Sequence, residues 1–470
     1  MPINFVSEDE NLKNYLKERS SLSLLIKKKI IETLQLPLEE DKIDLDCPLF
    51  GSGLGLDSVD AVGLAAMIET DFNVRVLDSD ISMFRSVNSI VDFILRMRKE
   101  IDVGKEAEEV PESTVALGLK LKSKPKDDEV TKVDFQDYLA MRNLVGLVKF
   151  ASPTLIGIEG PDAESFVDFI VAGNVTDLPV GCLLNSVVLD DGGAISFIIW
   201  LARQDAGYLF IADKQKRQAF LTCLNNYKGT LNVEIIDKSE KNDILAIVGP
   251  RAQEMVVDIF EEDLLRLGYG EFEILEWKGA KIIIGRYGET GEFDYRFIVP
   301  SGLTETLAAE IKDCGSIYKL RFCNQEILKT LMMEMKSIHQ DSMLMPGCTP
   351  SQVDLQWMID FQKEDFLGRE GLLKSFSKKR PRAILLTTDK ESKVLEGDEV
   401  WLAGGQIGFV RSVTYSLALS KWVLFAFVDD RYAWPNLDFR VRRNSRKGVS
   451  AVSRSAPLFL TLTIIESLNI

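Results

Sequence analysis

The sequence predicts a multidomain chain: an N-terminal all-α four-helix bundle, then an α+β body that ends in a small β-barrel. Three observations carry this reading. Apolar residues recur at helical spacing between Leu22 and Lys99. The composition then turns to Lys, Glu, Asp, Ser and Pro over 100–134. Beyond Phe135 strand-like and helix-like runs alternate, and past Arg382 short strands divided by turns take over. A chain of 470 residues exceeds what one core supports, so two or more domains are expected.

Residues 1–21 read as a polar leader and 22–99 as the helical domain. Its first helix is expected over about Leu22–Leu36, stopped by Pro37, with a long loop through Asp44-Leu45-Asp46-Cys47-Pro48-Leu49-Phe50. Gly53-Leu54-Gly55-Leu56-Asp57-Ser58 then opens a second helix, with Asp57 or Ser58 as N-cap. Val59, Val62 and Ala66 fall on one face, widened by Leu64 and Ile68. That helix ends at Glu69-Thr70-Asp71-Phe72, and a last short one covers Val87–Met97. An Asp-Ser pair alone is an ordinary cap, yet a serine hydroxyl at a helix start also sits where the dipole and free N–H groups favour a phosphate ester.

With the Leu56-Asp57-Ser58-Val59-Asp60 signature in this helix order, the segment from Leu22 to Lys99 resembles an acyl carrier protein along its whole length. The resemblance implies that Ser58 carries a 4′-phosphopantetheine arm, with an acyl or aminoacyl group held on it as a thioester. It implies a phosphopantetheinyl transferase and acyl- or aminoacyl-loading enzymes as partners, drawn by the acidic face of Asp57, Asp60, Glu69 and Asp71.

Residues 100–134 form a linker, whose root-mean-square span would be about 30 Å if fully flexible, enough for the carrier to swing to a site on the body. The body is placed at 135–380 and the barrel at 381–470. Thr154–Glu159 and Ile244–Val248 read as strands, each followed by Gly-Pro-x-Ala and a helix (Gly160-Pro161-Asp162-Ala163 and Gly249-Pro250-Arg251-Ala252). Two such units suggest a duplicated α+β module.

The formal net charge of −16 argues against non-specific nucleic-acid binding. No apolar run reaches the length of a membrane span, and Met1-Pro2-Ile3-Asn4-Phe5 lacks the build of a signal peptide, so a cytoplasmic protein is expected. Six scattered cysteines and the single His339 offer neither a disulfide framework nor a metal site, and no imidazole-based chemistry is expected.

The region from about 136 to 460 resembles the glycine-cleavage T-protein (aminomethyltransferase) family. The likeness rests on the two Gly-Pro units, on Tyr287-Gly288-Glu289-Thr290-Gly291-Glu292 leading to Tyr295, and on Asp365-Phe366-Leu367-Gly368-Arg369-Glu370. It continues through Ile407-Gly408-Phe409-Val410-Arg411-Ser412 and Tyr415-Ser416-Leu417-Ala418. The resemblance implies a T-protein-like clover leaf of three subdomains around a tetrahydrofolate channel. Glu292, Tyr295 and Tyr415 are then the cofactor-side candidates, Glu292 because a carboxylate matches the amino-pyrimidine edge of a pterin.

Three positions depart from the family pattern. Ser196 stands in Gly192-Gly193-Ala194-Ile195-Ser196 where the family has its catalytic aspartate. Lys149-Phe150-Ala151 replaces an Asp-x-Ser stretch, and Met332 replaces a folate-holding arginine in Leu331-Met332-Met333-Glu334-Met335-Lys336. Ser196 and Lys149 are therefore the catalytic candidates, Lys149 on the premise that burial depresses its pKa. Two basic clusters, Lys378-Lys379-Arg380 with Arg382 and Arg440 with Arg442-Arg443, read either as docking sites for an anionic tail or carrier or as solubility decoration.

The expected function is a tetrahydrofolate-dependent one-carbon transfer to or from a thioester tethered on Ser58, in specialised metabolite assembly. The alternatives are a non-folate acyl-docking protein with a degenerate T-protein-like domain, or a different reaction through Ser196 or Lys149.

Overall fold

The computed structural model describes residues 10–467 except 37, 52, 104–132, 261, 390–391 and 444–447. The linker expected over 100–134 lies almost wholly outside the described residues.

The N-terminal bundle has α1 (Glu10–Leu34), α2 (Ser58–Phe72) and α3 (Val87–Val103), with a 3-10 segment, Asp78–Arg85, as the short helix between the last two. Ile26 and Ile30 of α1, Leu64 and Ile68 of α2 and Ile90 and Ile94 of α3 meet in its core. Helix α1 starts well ahead of the expected Leu22. Its first turns carry Leu12, Tyr15 and Leu16 onto the core of the C-terminal barrel, contacts that no local pattern announces. Asp57 is the N-cap of α2: its Oδ1 accepts from the N–H groups of Val59 (2.7 Å) and Asp60 (3.0 Å), and Asp60 reciprocates by accepting from Asp57 N–H. The expected apolar stripe of α2 is buried at Leu64 and Ile68 and turned outward at Val59, Val62 and Ala66. Val59 and Val62 are 75% and 70% exposed, whereas Ala61, Leu64, Met67 and Ile68 are buried.

The body opens with α4 (Phe135–Asn143) and holds two antiparallel-dominated sheets. In the first, β2 (Thr154–Glu159) leads through α5 (Ala163–Ile170) to β3 (Leu183–Leu189), β4 (Ile195–Gln204) and β5 (Gly207–Ala212), then through α6 (Arg217–Lys228) to β6 (Glu234–Asp237), in the order β3-β4-β5-β2-β6. In the second, β7 (Asn242–Val248) leads through α7 (Ala252–Phe260) to β8 (Glu271–Trp277), β9 (Ala280–Arg286) and β10 (Asp294–Pro300). Helix α8 (Thr304–Gly315) and β11 (Arg321–Phe322) follow, and with β1 (Gly146–Phe150) the order is β11-β1-β7-β10-β9-β8. The runs β3-β4-β5-β2 and β8-β9-β10-β7 are the same arrangement.

The Gly-Pro corners obey one constraint. Gly160 and Gly249 have φ of +122° and +141°, and a Cβ there would meet a backbone carbonyl at 2.5 and 2.3 Å respectively. Helices cover one face of each sheet, and the uncovered faces meet through Leu155, Trp200, Ile211, Ile244, Phe272 and Ile298. Helices α9 (Glu326–Met335), α10 (Gln340–Met343) and α11 (Arg369–Ser375) connect to a closed barrel. Its strands are β12 (Arg382–Thr388), β13 (Glu399–Leu402), β14 (Gly405–Ser416), β15 (Lys421–Val428), β16 (Asp438–Arg442) and β17 (Val449–Arg454), ordered β12-β15-β14-β13-β16-β17, and α12 (Leu462–Ser467) ends the described chain.

The bundle is seated against body and barrel by buried polar groups. Arg85 donates to the carbonyls of Pro457 and Leu458 (both 2.6 Å), Tyr15 to Pro435 O (2.9 Å), and Gln356 to Asp44. Burial raises the Asp44 carboxyl to about 7, the Asp354 carboxylate adding to the push while Gln356 and Arg382 oppose it. Its partner Asp354 would also be raised by burial, but Lys336 and Arg382 hold it at about 2. A carboxyl raised by folding keeps its proton longest in the folded state. The stability Asp44 contributes is therefore full below about pH 4 and is lost as pH rises to about 7. Asp354 acts in the opposite sense, and only below about pH 4. The urea midpoint should thus fall between about pH 5 and 7.5, with Asp44→Asn flattening that slope. An unchanged slope in the variant would reject this assignment.

Candidate functional site

The open ends of the two sheets and helices α9 and α10 enclose a cavity of about 640 Å³. Strand β4 supplies one wall. Its side chains alternate, so Ser196, Ile198 and Trp200 share a face, and Ile198 and Trp200 line the cavity. The partner strand β5 pairs with β4 only from Trp200 onward. Gln340 replaces it on the exposed stretch: its Oε1 accepts from Ile198 N–H (3.1 Å) and its Nε2 donates to Ser196 O (2.6 Å). That amide also places the neighbouring His339 at the wall, where burial lowers the imidazole pKa.

The loop between β9 and β10 supplies the opposite wall, and its two glutamates part company. Glu289 lines the cavity and accepts from Asn185 Nδ2 (2.8 Å); burial raises its pKa, with Asn185 and Arg296 opposing. Arg296 joins it there, held by Asp294 through two hydrogen bonds (2.9 and 3.1 Å) and lying over the Tyr287 ring. Glu292 points the other way. Its oxygens accept from Arg142 Nη1 (3.0 Å) and Thr463 Oγ1 (2.7 Å), and its side chain is fully buried. The glutamate expected to meet a pterin is committed to the scaffold; of the two in this loop, Glu289 is the one that lines the cavity, which Asp213, Glu326 and Asp341 also line.

The remaining candidates divide the same way. Tyr295 is fully buried in the core beneath the second sheet, and Tyr415 packs edge-on against Trp422 in the central core, so neither is among the lining residues. Lys149 does line the cavity, but at its exposed mouth, donating to Glu305 (2.6 Å). The hydrogen bond to Glu305 raises its pKa, the reverse of what a lysine base or nucleophile requires. Ser196 lies one alternation beyond the lining, and the group engaged by Gln340 is its carbonyl. Met332, where the family pattern has arginine, lines the cavity as an apolar surface. Of the basic clusters, Arg382 pairs with Asp354, Arg380 donates to Gly347 O, Arg443 pairs with Asp398 and Arg442 lies over Trp401.

Residues that the sequence reading passed over are Glu289, Arg296, Trp200 and Asn185. Alternation along β4 could have found Trp200. Nothing local separates Glu289 from Glu292, because a turn's direction is set by what it packs against.

Ser58 is the first residue of α2, half-buried, with the cap supplied by its neighbour Asp57. Its hydroxyl is therefore not needed to satisfy the helix end. Among the described residues no group of His, Cys, Asp and Glu side chains could hold a metal, and no helix is long and apolar enough to cross a membrane.

Comparison with known proteins agrees with this domain architecture. Residues 115–363 match the model of the GCVT N-terminal domain, 380–459 that of the glycine cleavage T-protein C-terminal barrel domain, and 25–94 that of the phosphopantetheine attachment site. The aminomethyltransferase of Thermotoga sp. (strain RQ2) is 24% identical over 296 residues, covering 63% of this chain and 81% of that protein. That of Alkaliphilus oremlandii is 25% identical over 316 residues, 66% of this chain and 86% of its own. The crystal structure of glycine cleavage system aminomethyltransferase T from Bartonella henselae superposes with a TM-score of 0.64 at 20% identity, over 69% of this chain and 89% of that one. The first of these family models alone spans more than half of the sequence, and the chain belongs to the glycine-cleavage T-protein family, joined at its N-terminal side to a phosphopantetheine attachment domain.

Proposed function

We propose that this protein is a tetrahydrofolate-dependent one-carbon transferase whose substrate is an acyl or aminoacyl thioester held on a phosphopantetheine arm at Ser58, in specialised metabolite assembly. The observation that carries the reading is the union, in one chain, of a carrier serine with a cavity of about 640 Å³ in the T-protein-like body. Covalent attachment raises the local concentration only of what the carrier holds, so the fusion has a purpose when the cargo and the cavity react. A phosphopantetheinyl transferase and loading enzymes are the partners this requires.

The lining fits a folate. Trp200 and Phe150 offer aromatic surface to a pterin ring, and Glu289 offers a largely buried acceptor to its amino-pyrimidine N–H groups. Arg296, fixed by Asp294, supplies a cation for a carboxylate. Bound tetrahydrofolate carries the one-carbon unit that is exchanged. The protein's part is to orient the ring and exclude water from the cavity.

Calorimetry with tetrahydrofolate tests this. Heat is expected with the wild-type protein, and Glu289→Gln should weaken binding roughly 10- to 100-fold, the range of a hydrogen bond to a charged group. Absence of heat, or an unaltered Glu289→Gln, would overturn the folate reading.

A further inference from the structure

Next to the cavity, on the side of the carrier, lies a narrow crevice of about 30 Å³. Asp46 and Pro48 of the carrier loop form one side of it, and Asn185, Lys336 and Trp357 of the body form the other. Ile198, Glu289 and Ile338 line both spaces, so the crevice abuts the cavity across these side chains. Resting on Ser58 as the attachment point, we infer that Lys336 latches the carrier in a fixed seat, and that the Ser58 arm enters the cavity through this crevice with Asn185 accepting from an arm amide.

Lys336 is the first ground. It caps the C-terminal end of α9 at φ 59°, a left-handed position that favours glycine. Its side chain is 3% exposed, and the ammonium donates to Asp46 of the carrier and Asp354 of the body, each at 2.6 Å. Asp46 in turn accepts from Asn88 Nδ2 (2.8 Å) and Ala456 N–H (3.1 Å), and Asp354 from Arg382 (2.8 Å). A strained lysine thus ties the carrier loop to the body at the crevice wall. Burial opposes its charge, and the two carboxylates restore it.

Asn185 is the second. It is 8% exposed, its Nδ2 is engaged by Glu289, and its Oδ1 has no partner. A buried orphan acceptor on the crevice wall asks for an N–H donor. The amide groups of a pantetheine arm are such donors, and the thiol beyond them would lie toward Glu289 and the cavity.

The third is position. Ser58 lies two residues past Leu56, at most about 7 Å of chain. Leu56 N–H donates to the carbonyl of Leu49 (2.9 Å), and Leu49 follows the Pro48 that lines the crevice. As it stands the crevice has room for about one water, so passage of the arm requires lining side chains to move, the half-buried Trp357 among them. The carrier is then a resident wall of the site, with only its arm moving.

The test uses the full-length protein in a Cys323→Ser background, because Cys323 itself lines the cavity. A phosphopantetheinyl transferase loads Ser58 from a bromoacetyl-bearing coenzyme A analogue, the serine oxygen taking the phosphopantetheine portion as adenosine 3′,5′-bisphosphate leaves, and intact mass records the loading. Alkylation of an introduced thiol, with loss of bromide, then reports where the arm reaches. Crosslinking to Trp357→Cys should be at least tenfold faster than to Val180→Cys on the exposed body surface. Lys336→Gly, which relieves the strained backbone but removes the latch, should slow it tenfold or more, and Asn185→Leu should also slow it. Should Lys336→Gly fail to fold, Asp46→Asn is read in its place. Equal rates at the two thiols, or a rate indifferent to the latch variants, would overturn the inference. No mass gain on loading would overturn it together with the role of Ser58, whereas crosslinking without any tetrahydrofolate heat would uphold the route and reject only the folate chemistry.

Discussion

Arg142→Met is expected to destabilise the protein by about 3–5 kcal/mol, the largest effect of any single buried-charge substitution considered. Arg142 reaches from α4 to the β9–β10 loop and α9. It donates to Glu292 (3.0 Å) and Thr290 O (2.7 Å) with one terminal nitrogen, and to Glu334 (2.7 Å) and Leu331 O (3.2 Å) with the other. Glu334 also accepts from Tyr138 (2.7 Å) and from Ser416 of the barrel, and Glu292 from Thr463 of α12. All three charged side chains are within 1% of full burial. Removing the cation strands two carboxylates away from water, which costs far more than the net value of the intact pair. A urea titration should show the midpoint falling with an unchanged slope, since the same surface is exposed on unfolding. The triple change Arg142→Met, Glu292→Gln, Glu334→Gln should recover much of the loss, because no buried charge is then left alone. Lys149→Met supplies the contrast: the pair with Glu305 is exposed, so its loss should cost about 1 kcal/mol or less. A loss of that size for Arg142→Met would remove this network from the forces that hold body, barrel and loop together.

The same network explains what could be read from residues in order and what could not. The carrier was legible because its signals are local: helical spacing, a Gly-rich turn and an Asp-Ser start. Even there the buried face of α2 was misassigned in part. Leu64 and Ile68 of the expected stripe are buried, but beside them Ala61 and Met67 face the core in place of Val59, Val62 and Ala66, because spacing alone does not say on which side of Leu64 and Ile68 the core lies. The Gly-Pro corners were legible for a stricter reason, since only glycine tolerates the carbonyl approach that each makes. The site was not. Glu289 and Glu292 sit three apart in one turn, and which of them meets the cavity follows from Arg142, some 150 positions earlier in the chain. Lys149 looked like a candidate base because its partner Glu305 is equally remote. The seat of the carrier rests on Asp46, Lys336, Asp354 and Arg382, four charges far apart in the sequence that only the fold brings together.

Ser58→Ala should abolish attachment of the arm entirely while leaving the fold and the cavity intact. The cap of α2 belongs to Asp57 and Asp60, so loss of the hydroxyl removes no hydrogen bond that the helix start depends on. Alanine is also the best helix former, and any change in stability should be within about 0.5 kcal/mol. Intact mass after incubation with coenzyme A and a phosphopantetheinyl transferase should rise for the wild type and stay fixed for the variant. Tetrahydrofolate heat should be the same for both, because the cavity-lining residues belong to the body and none is Ser58. Turnover of a tethered thioester should vanish, and a free pantetheine thioester supplied in solution should restore it only weakly, the deficit measuring the effective concentration that tethering provides. A variant that still gains mass would move the attachment elsewhere. A variant that turns over free substrate as fast as the loaded wild type would show that the carrier contributes nothing to the reaction.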